Sequence, residues 1–247
     1  MNLPNALTVA RIVAAPIVAG LPFVPNWPAR IGAFVLFVLV AITDYWDGKL
    51  ARTRGLVTDL GKLLDPLADK LLLLATFVPM WVLVGSLGDA SLFAPRDLNP
   101  AAVFGPMLTA TAVPHLVFPY HTPWATFGLP WWIIAIILGR ELFMTIYRQV
   151  AARRGTIIAA IGPAKWKTGF QWTWVGATFF WFGAATAALQ YRWRSALWVA
   201  FANFNGIVNV VTMTIAVVLT LYSLALYLRR TPAPSAPRPP AGATADR

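Results

Sequence analysis

The 247-residue chain has no cysteine, nine acidic residues, two histidines and only 12% charged residues. Without cysteine there can be no disulfide and no thiolate metal site, and redox compartment leaves no mark on the sequence. The charged share is about half the roughly 25% of an ordinary soluble domain. What fills the space is apolar: 58% of residues are hydrophobic, twelve of them Trp, and the mean hydropathy is +0.65. Uncharged runs occupy 12–29, 31–43, 71–88, 98–139, 168–191 and 195–228. A membrane-spanning helix takes about 20 mostly apolar residues, so six spans fit if most of the fourth run is connector. The composition therefore predicts an all-α integral membrane bundle of six transmembrane helices, at about 5–25, 31–51, 61–85, 131–152, 165–189 and 199–228. No basic cluster precedes the first apolar run and further spans follow it, which reads as a retained helix rather than a cleaved signal.

Charge sets the orientation. With the N-terminus cytoplasmic, Lys49, Arg52, Arg54, Lys62, Arg148, Arg153, Arg154, Lys165, Lys167, Arg229 and Arg230 fall inside, and Arg30, Arg96, Arg192 and Arg194 outside. That bias places both termini in the cytoplasm of a multi-pass protein, with a bacterial cell membrane as the expected location. The formal charge of +11 marks loops beside an anionic bilayer rather than one soluble face, so nucleic acid is not an expected partner. Residues 1–230 read as one membrane domain. Within it, 86–130 carries Gly88 and seven prolines from Pro95 to Pro130, a punctuation that suits a long outer connector with a short re-entrant or interfacial helix. Residues 231–247, "TPAPSAPRPPAGATADR", predict a disordered Pro/Ala-rich tail.

Five of the nine acids lie in "TDYWDGKLARTRGLVTDLGKLLDPLADK", residues 43–70. On helices, Asp44 and Asp47 are three residues apart and Asp65 and Asp69 four apart, so each pair shares one face of its helix. A short polar link between helices two and three predicts antiparallel neighbours that bring the pairs together at the cytoplasmic end. Two carboxylates about 6 Å apart at an effective dielectric of 20 repel by roughly 3 kcal/mol, so four ionised together need cations. Hard oxygen donors without nearby His or Cys favour Mg²⁺, Mn²⁺ or Ca²⁺, and paired metals of this kind grip phosphoryl groups. Gly48 leaves room for a bulky ligand beside Asp47. The alternative is a structural ion-pair network with Lys49, Arg52, Arg54, Lys62 and Lys70. Asp59 falls outside the spacing and reads as a loop residue paired with a base.

With its gaps, the segment is Asp44-x2-Asp47-Gly48-x2-Ala51-Arg52-x8-Gly61-x3-Asp65-x3-Asp69, and it resembles the signature of the CDP-alcohol phosphatidyltransferases at every fixed position. Asn5-x2-Thr8-x2-Arg11 is similar to the family's opening helix. The resemblance implies two divalent cations, Mg²⁺ or Mn²⁺, on Asp44, Asp47, Asp65 and Asp69, with Asp69 also the general base. It implies CDP-diacylglycerol contacts at Gly48, Arg52, Thr58, Asn5 and Thr8, attack by an alcohol on the lipid-side phosphorus, and departure of CMP. A homodimer is a further implication. No covalent nucleophile is required, and His115 and His121, the only histidines, sit in the outer connector, so the His-Lys-Asp motif of phospholipase D-like synthases is missing.

The acceptor is read from the second half. Arg140 and Glu141 lie within an apolar span, followed by Arg148, Arg153 and Arg154, while "GPAKWKTGFQW" opens the fifth helix with Lys165 and Lys167. Bases inside a bundle near an acidic site suggest an anionic group to be held. The stretches "LGRELFMTIYRQVAARRG" and "GPAKWKTGFQ" resemble those of phosphatidylglycerophosphate synthases, which implies glycerol 3-phosphate as acceptor, held by Arg140, Arg148, Lys165 and Lys167. Positive-inside anchoring is the plain alternative for Arg148, Arg153 and Arg154, and a neutralising pair for Arg140. Glu141 reads as the partner of a base, Trp131 and Trp132 as interface belt, and Phe143 and Met144 as packing. Inositol phosphate, or phosphatidylglycerol as in cardiolipin synthases, are rival acceptors. A cation transporter is the rival from another class, weakened because no second acidic site lines helices four to six.

Overall fold

The computed structural model describes residues 3–54, 59–85, 93–95, 118–153 and 162–230. Among them are six α-helices: α1 Leu3–Gly20, α2 Trp27–Arg54, α3 Asp59–Val84, α4 Trp131–Arg153, α5 Gly162–Gln190 and α6 Ala196–Arg230. Each lies within four residues of its expected start and within five of its expected end. A single 3-10 turn, Leu21–Phe23, closes α1. Three short strands, β1 Phe93–Pro95, β2 Tyr120–His121 and β3 Ala125–Phe127, form an antiparallel sheet in the order β1-β3-β2. Of the connector expected at 86–130, residues 93–95 and 118–130 are described and hold these strands and no helix; the rest of it, and the tail on 231–247, lie outside the described residues.

Helix ends follow local chemistry. Gly85 adopts a positive φ of 68° and donates its N–H to Trp81 O at 3.1 Å, ending α3 in a left-handed cap. The return of the connector is pinned to that cap, with Phe118 N–H donating to Leu83 O at 2.6 Å and Leu129 N–H to Gly85 O at 2.8 Å. At the far end of α5, Trp193 N–H reaches Ala188 O at 2.9 Å and Arg192 N–H reaches Leu189 O at 3.3 Å. This is a Schellman closure with Arg192, φ 54°, where glycine would fit without strain. A side chain there costs about 1 kcal/mol. Ser195 then caps α6, its Oγ accepting from Trp198 N–H at 3.2 Å.

The helices pack in a ring. α1 lies between α2 and α3 and contacts both, α2 leans on α5, α5 on α6, α6 on α4, and α3 closes the circle against α4 and α5. Among the described residues α2 and α3 meet each other at most weakly, in place of the expected direct pairing, and both pack on α1 instead. α5 is the most enclosed element, with every residue from Trp181 to Ala188 buried. Phe37 stacks on Trp172 and Phe179 at 5.3 and 5.7 Å, and Phe77 tilts against Trp174 at 5.4 Å. Behind these rings Tyr120, Trp174, Thr178 and Asn209 form a buried polar chain: Trp174 Nε1 donates to Tyr120 OH at 3.1 Å, and Thr178 Oγ1 lies 2.8 Å from both Tyr120 OH and Asn209 Oδ1. Hydrogen bonds of this kind join helices where burial of apolar surface contributes little.

The perimeter is greasy. Val13 and Ile17 of α1, Val35 and Leu39 of α2, Val78 of α3, Ile146 of α4 and Val218 and Leu221 of α6 are all exposed, more apolar surface than a water-soluble monomer tolerates. Asn5–Phe23, Trp27–Asp44, Leu64–Val84 and Ala196–Arg229 are long and apolar enough to cross a membrane. α4 falls outside that set because any stretch of that length in it carries Arg140, Glu141 and Arg148, and α5 because its Trp, Thr, Gly and Gln residues lower its hydropathy even where it is uncharged, from Thr168 to Gln190.

One contact ties the sheet to the bundle. A Cβ on Gly206 would lie 1.7 Å from His121 O, so β2 rests directly on the backbone of α6. Gly206→Ala should destabilise the protein by at least about 3 kcal/mol, whereas Gly139→Ala, with open space around it, should stabilise by about 0.5–1 kcal/mol. Thermal unfolding of the two variants side by side checks both signs.

Candidate active site

Three carboxylates meet on one arginine. Arg11, one helical turn above Thr8 on α1, places Nη1 against Asp44 Oδ1 of α2 and 3.2 Å from Asp69 Oδ1 of α3, while its Nη2 lies 3.6 Å from Asp65 Oδ1. Thr8 Oγ1 donates to Asp65 Oδ1 at 2.7 Å. The helical spacing explains the geometry: Asn5, Thr8 and Arg11 lie on one buried face of α1, the face turned to both acid-bearing helices. Arg11 is 3% exposed, against 38%, 56% and 60% for Asp44, Asp65 and Asp69. The cation therefore forms the floor, and the acids keep oxygens toward the open side.

That open side is a cleft of about 190 Å³ inside the helix ring. Asp44 and Asp69 form one wall; Lys167, Thr168 and Gln171 of α5 and Glu141 of α4 form the other; Phe37, Leu72 and Trp172 close the apolar depth. Lys167 is 4% exposed, and its Nζ donates to Glu141 Oε1. Arg140 Nη1 donates to the same oxygen at 3.0 Å, and its Nη2 to Ser223 Oγ of α6 at 3.0 Å. One carboxylate thus serves two buried bases. Arg148 is set apart: its Nη2 donates to Tyr227 OH at 3.0 Å and its guanidinium lies 5.4 Å from the Tyr227 ring centre.

Of the expected site residues, Asp44, Asp65, Asp69 and Thr8 converge, with buried Asn5 on the same face of α1. Lys167 faces them across the cleft, while Arg140 stands behind Glu141 and Arg148 on Tyr227. Asp47, Gly48 and Arg52 fall on α2 and Lys165 on α5, but their side chains, and all of Thr58, lie outside the described residues. Sequence reading gave Arg11 no role beyond its place in a motif. Its i+3 spacing from Thr8 and its lone positive charge in an uncharged run were the available signal. Thr168 and Gln171 carried no signal beyond their place in the stretch "GPAKWKTGFQ".

The donor set is all oxygen, suited to hard divalent cations. It resembles no zinc or thiolate centre. On the other wall, charge and hydrogen bonding favour an anion.

A family model for CDP-alcohol phosphatidyltransferase matches residues 1–222, and the chain belongs to that family. It is similar to the CDP-diacylglycerol–glycerol-3-phosphate 3-phosphatidyltransferase 1, chloroplastic/mitochondrial, of Arabidopsis thaliana, at 28% identity over 93% of this chain and 62% of that protein. A CDP-diacylglycerol–glycerol-3-phosphate 3-phosphatidyltransferase of Rickettsia bellii is 57% identical over 72 residues, 29% of this chain and 39% of the relative. A probable phosphatidylglycerophosphate synthase of Mycobacterium tuberculosis is 31% identical over 71% of this chain and 64% of its own length. The chain thus spans 39% to 64% of these relatives' lengths.

Glu141→Gln removes the charge that Arg140 and Lys167 share. The expected result is a loss of about 2 kcal/mol, read as a lowered unfolding temperature. A further Lys167→Met should restore part of it by removing one unpaired base.

Proposed function

We propose that the protein transfers the phosphatidyl group of CDP-diacylglycerol to glycerol 3-phosphate, giving phosphatidylglycerophosphate and CMP in phospholipid synthesis. The observation that carries this reading is the cleft itself, with acids from two helices on one wall and a buried lysine on the other. The names of the relatives support the same donor and acceptor. Six transmembrane helices, both termini in the cytoplasm and a site at the cytoplasmic ends of α2 and α3 complete the proposal, supported by the lysine and arginine bias. The domain is 1–230 with the tail 231–247 beyond it, and a homodimer accords with the family.

Asp44, Asp47, Asp65 and Asp69 would hold two divalent cations, Mg²⁺ or Mn²⁺. When bound, the cations neutralise the pyrophosphate and stabilise the departing oxygen. The chain's own residues do the rest. Asn5, Thr8, Gly48, Arg52 and Thr58 seat the nucleotide lipid, and Arg11 holds the acids in register. Asp69 takes the proton from the acceptor hydroxyl; the new alkoxide oxygen bonds to the lipid-side phosphorus as the bond from that phosphorus to the CMP oxygen breaks. Lys167 and Lys165 hold the acceptor phosphate, with Arg140 and Arg148 adding positive charge around it. Apolar side chains at the depth of the cleft exclude water, which would otherwise compete as acceptor.

Purified protein with CDP-diacylglycerol and Mg²⁺ should release CMP on addition of glycerol 3-phosphate, and not on addition of inositol phosphate, serine or phosphatidylglycerol. A response to any of these others without glycerol 3-phosphate would defeat the acceptor assignment. Asp69→Asn should lower turnover by at least about a hundredfold in a folded protein. Lys167→Ala should raise KM for glycerol 3-phosphate more than KM for CDP-diacylglycerol; equal effects would remove Lys167 from the acceptor site.

A further inference from the structure

A second concavity lies at the opposite end of the bundle, about 20 to 30 Å along α5 from Lys167 at about 1.5 Å per residue, at Phe180 to Ala187. It measures about 570 Å³ and is walled by Trp27 and Ile31 of α2, Phe180 of α5, and Leu197, Trp198 and Phe201 of α6. That volume falls within the range of about 300–1,000 Å³ typical of ligand sites. Its wall is almost wholly apolar, and it belongs to a perimeter built to face lipid.

Three observations separate it from ordinary greasy surface. First, Trp198 is 6% exposed, lines the groove, and has a buried Nε1 with no hydrogen-bond partner among the described residues. Its ring plane is fixed by stacking on Trp181 at 5.9 Å and 8°. A buried indole donor is ordinarily satisfied, so an acceptor oxygen from outside the chain fits here. Second, the turn that borders the groove carries Arg192 and Arg194, both exposed, on either side of the lining residue Trp193. Neither that turn nor the groove wall contains an acidic residue. Third, Arg192 holds a left-handed backbone at φ 54° in a helix-ending position that suits glycine. Strained positions of this kind cluster at ligand sites.

We infer that this groove binds one anionic glycerophospholipid. An acyl chain lies along Ile31, Phe180 and Leu197, an ester or phosphate oxygen accepts from Trp198 Nε1, and the charged headgroup lies against Arg192 and Arg194. Three tryptophans, Trp27, Trp193 and Trp198, border the site, in keeping with the depth at which indoles gather in a bilayer. The site is separate from the transfer cleft and does not rest on the reading given to it.

The test uses the full chain in neutral detergent, titrated with phosphatidylserine or phosphatidylcholine of identical acyl chains and followed by native mass spectrometry. Phosphatidylserine is neither substrate nor product of the proposed transfer. One copy should be retained about thirtyfold more tightly than phosphatidylcholine, on the order of the attraction two surface arginines supply. Arg192→Gly should leave the unfolding temperature unchanged or raised while phosphatidylserine affinity falls about fivefold. Trp198→Phe should weaken both lipids alike, because it removes the donor and keeps the ring. Equal affinity for the two lipids in the wild type, or full phosphatidylserine binding by Arg192→Gly, would overturn the proposal. Leu197→Glu, at a position 80% exposed, should expel the lipid; if it instead splits a dimer and leaves lipid counts unchanged, a second copy of the chain occupies the groove and the proposal fails.

Discussion

The arrangement of the bundle depends on one guanidinium. Arg11 touches carboxylates from α2 and α3 while α1 packs against both of those helices. Acids this close repel, and a floor of buried positive charge lets them face a common cleft. A guanidinium suits the task because its nitrogens form a planar fork that can meet several oxygens at once. Lysine, with a single nitrogen, could not address Asp44 and Asp65 from opposite edges. α1 thus holds the cleft's acids from behind without lining the cleft itself.

The same economy appears across the cleft. Glu141 accepts from Lys167 and Arg140, so two buried bases stand on one acid and leave a net positive wall. An acid wall with its own cation and a basic wall with its own acid give each side a partial internal balance. The remaining imbalance is what a bound cation pair and a bound anion would complete. Ser223 and Tyr227, both on α6, hold Arg140 and Arg148 in place, which links the last helix to the cleft although it does not line it.

Helix positions were legible because uncharged runs and span length are strong signals, and the carboxylate spacing was legible because a helix places i, i+3 and i+4 on one face. Packing order was not. A short polar link suggested that α2 and α3 touch, and nothing in their composition records that both would pack on α1 instead. The strands of the connector were also invisible: prolines masked Phe93–Pro95, and β2 has only two residues. Gly206 looked like any helical glycine until His121 was found against it. Long-range approach of this kind leaves no local pattern.

The place of α1 beside both helices has a consequence for biogenesis. A ribosome delivers the chain from its N-terminus, so Arg11 is made before Asp44, Asp65 or Asp69 has been translated. Each acid then follows a cation already made and need not wait unneutralised for a later helix. Had the arginine been on α6, the α2 and α3 acids would have been stranded through most of synthesis. Chain order here doubles as an order of charge compensation.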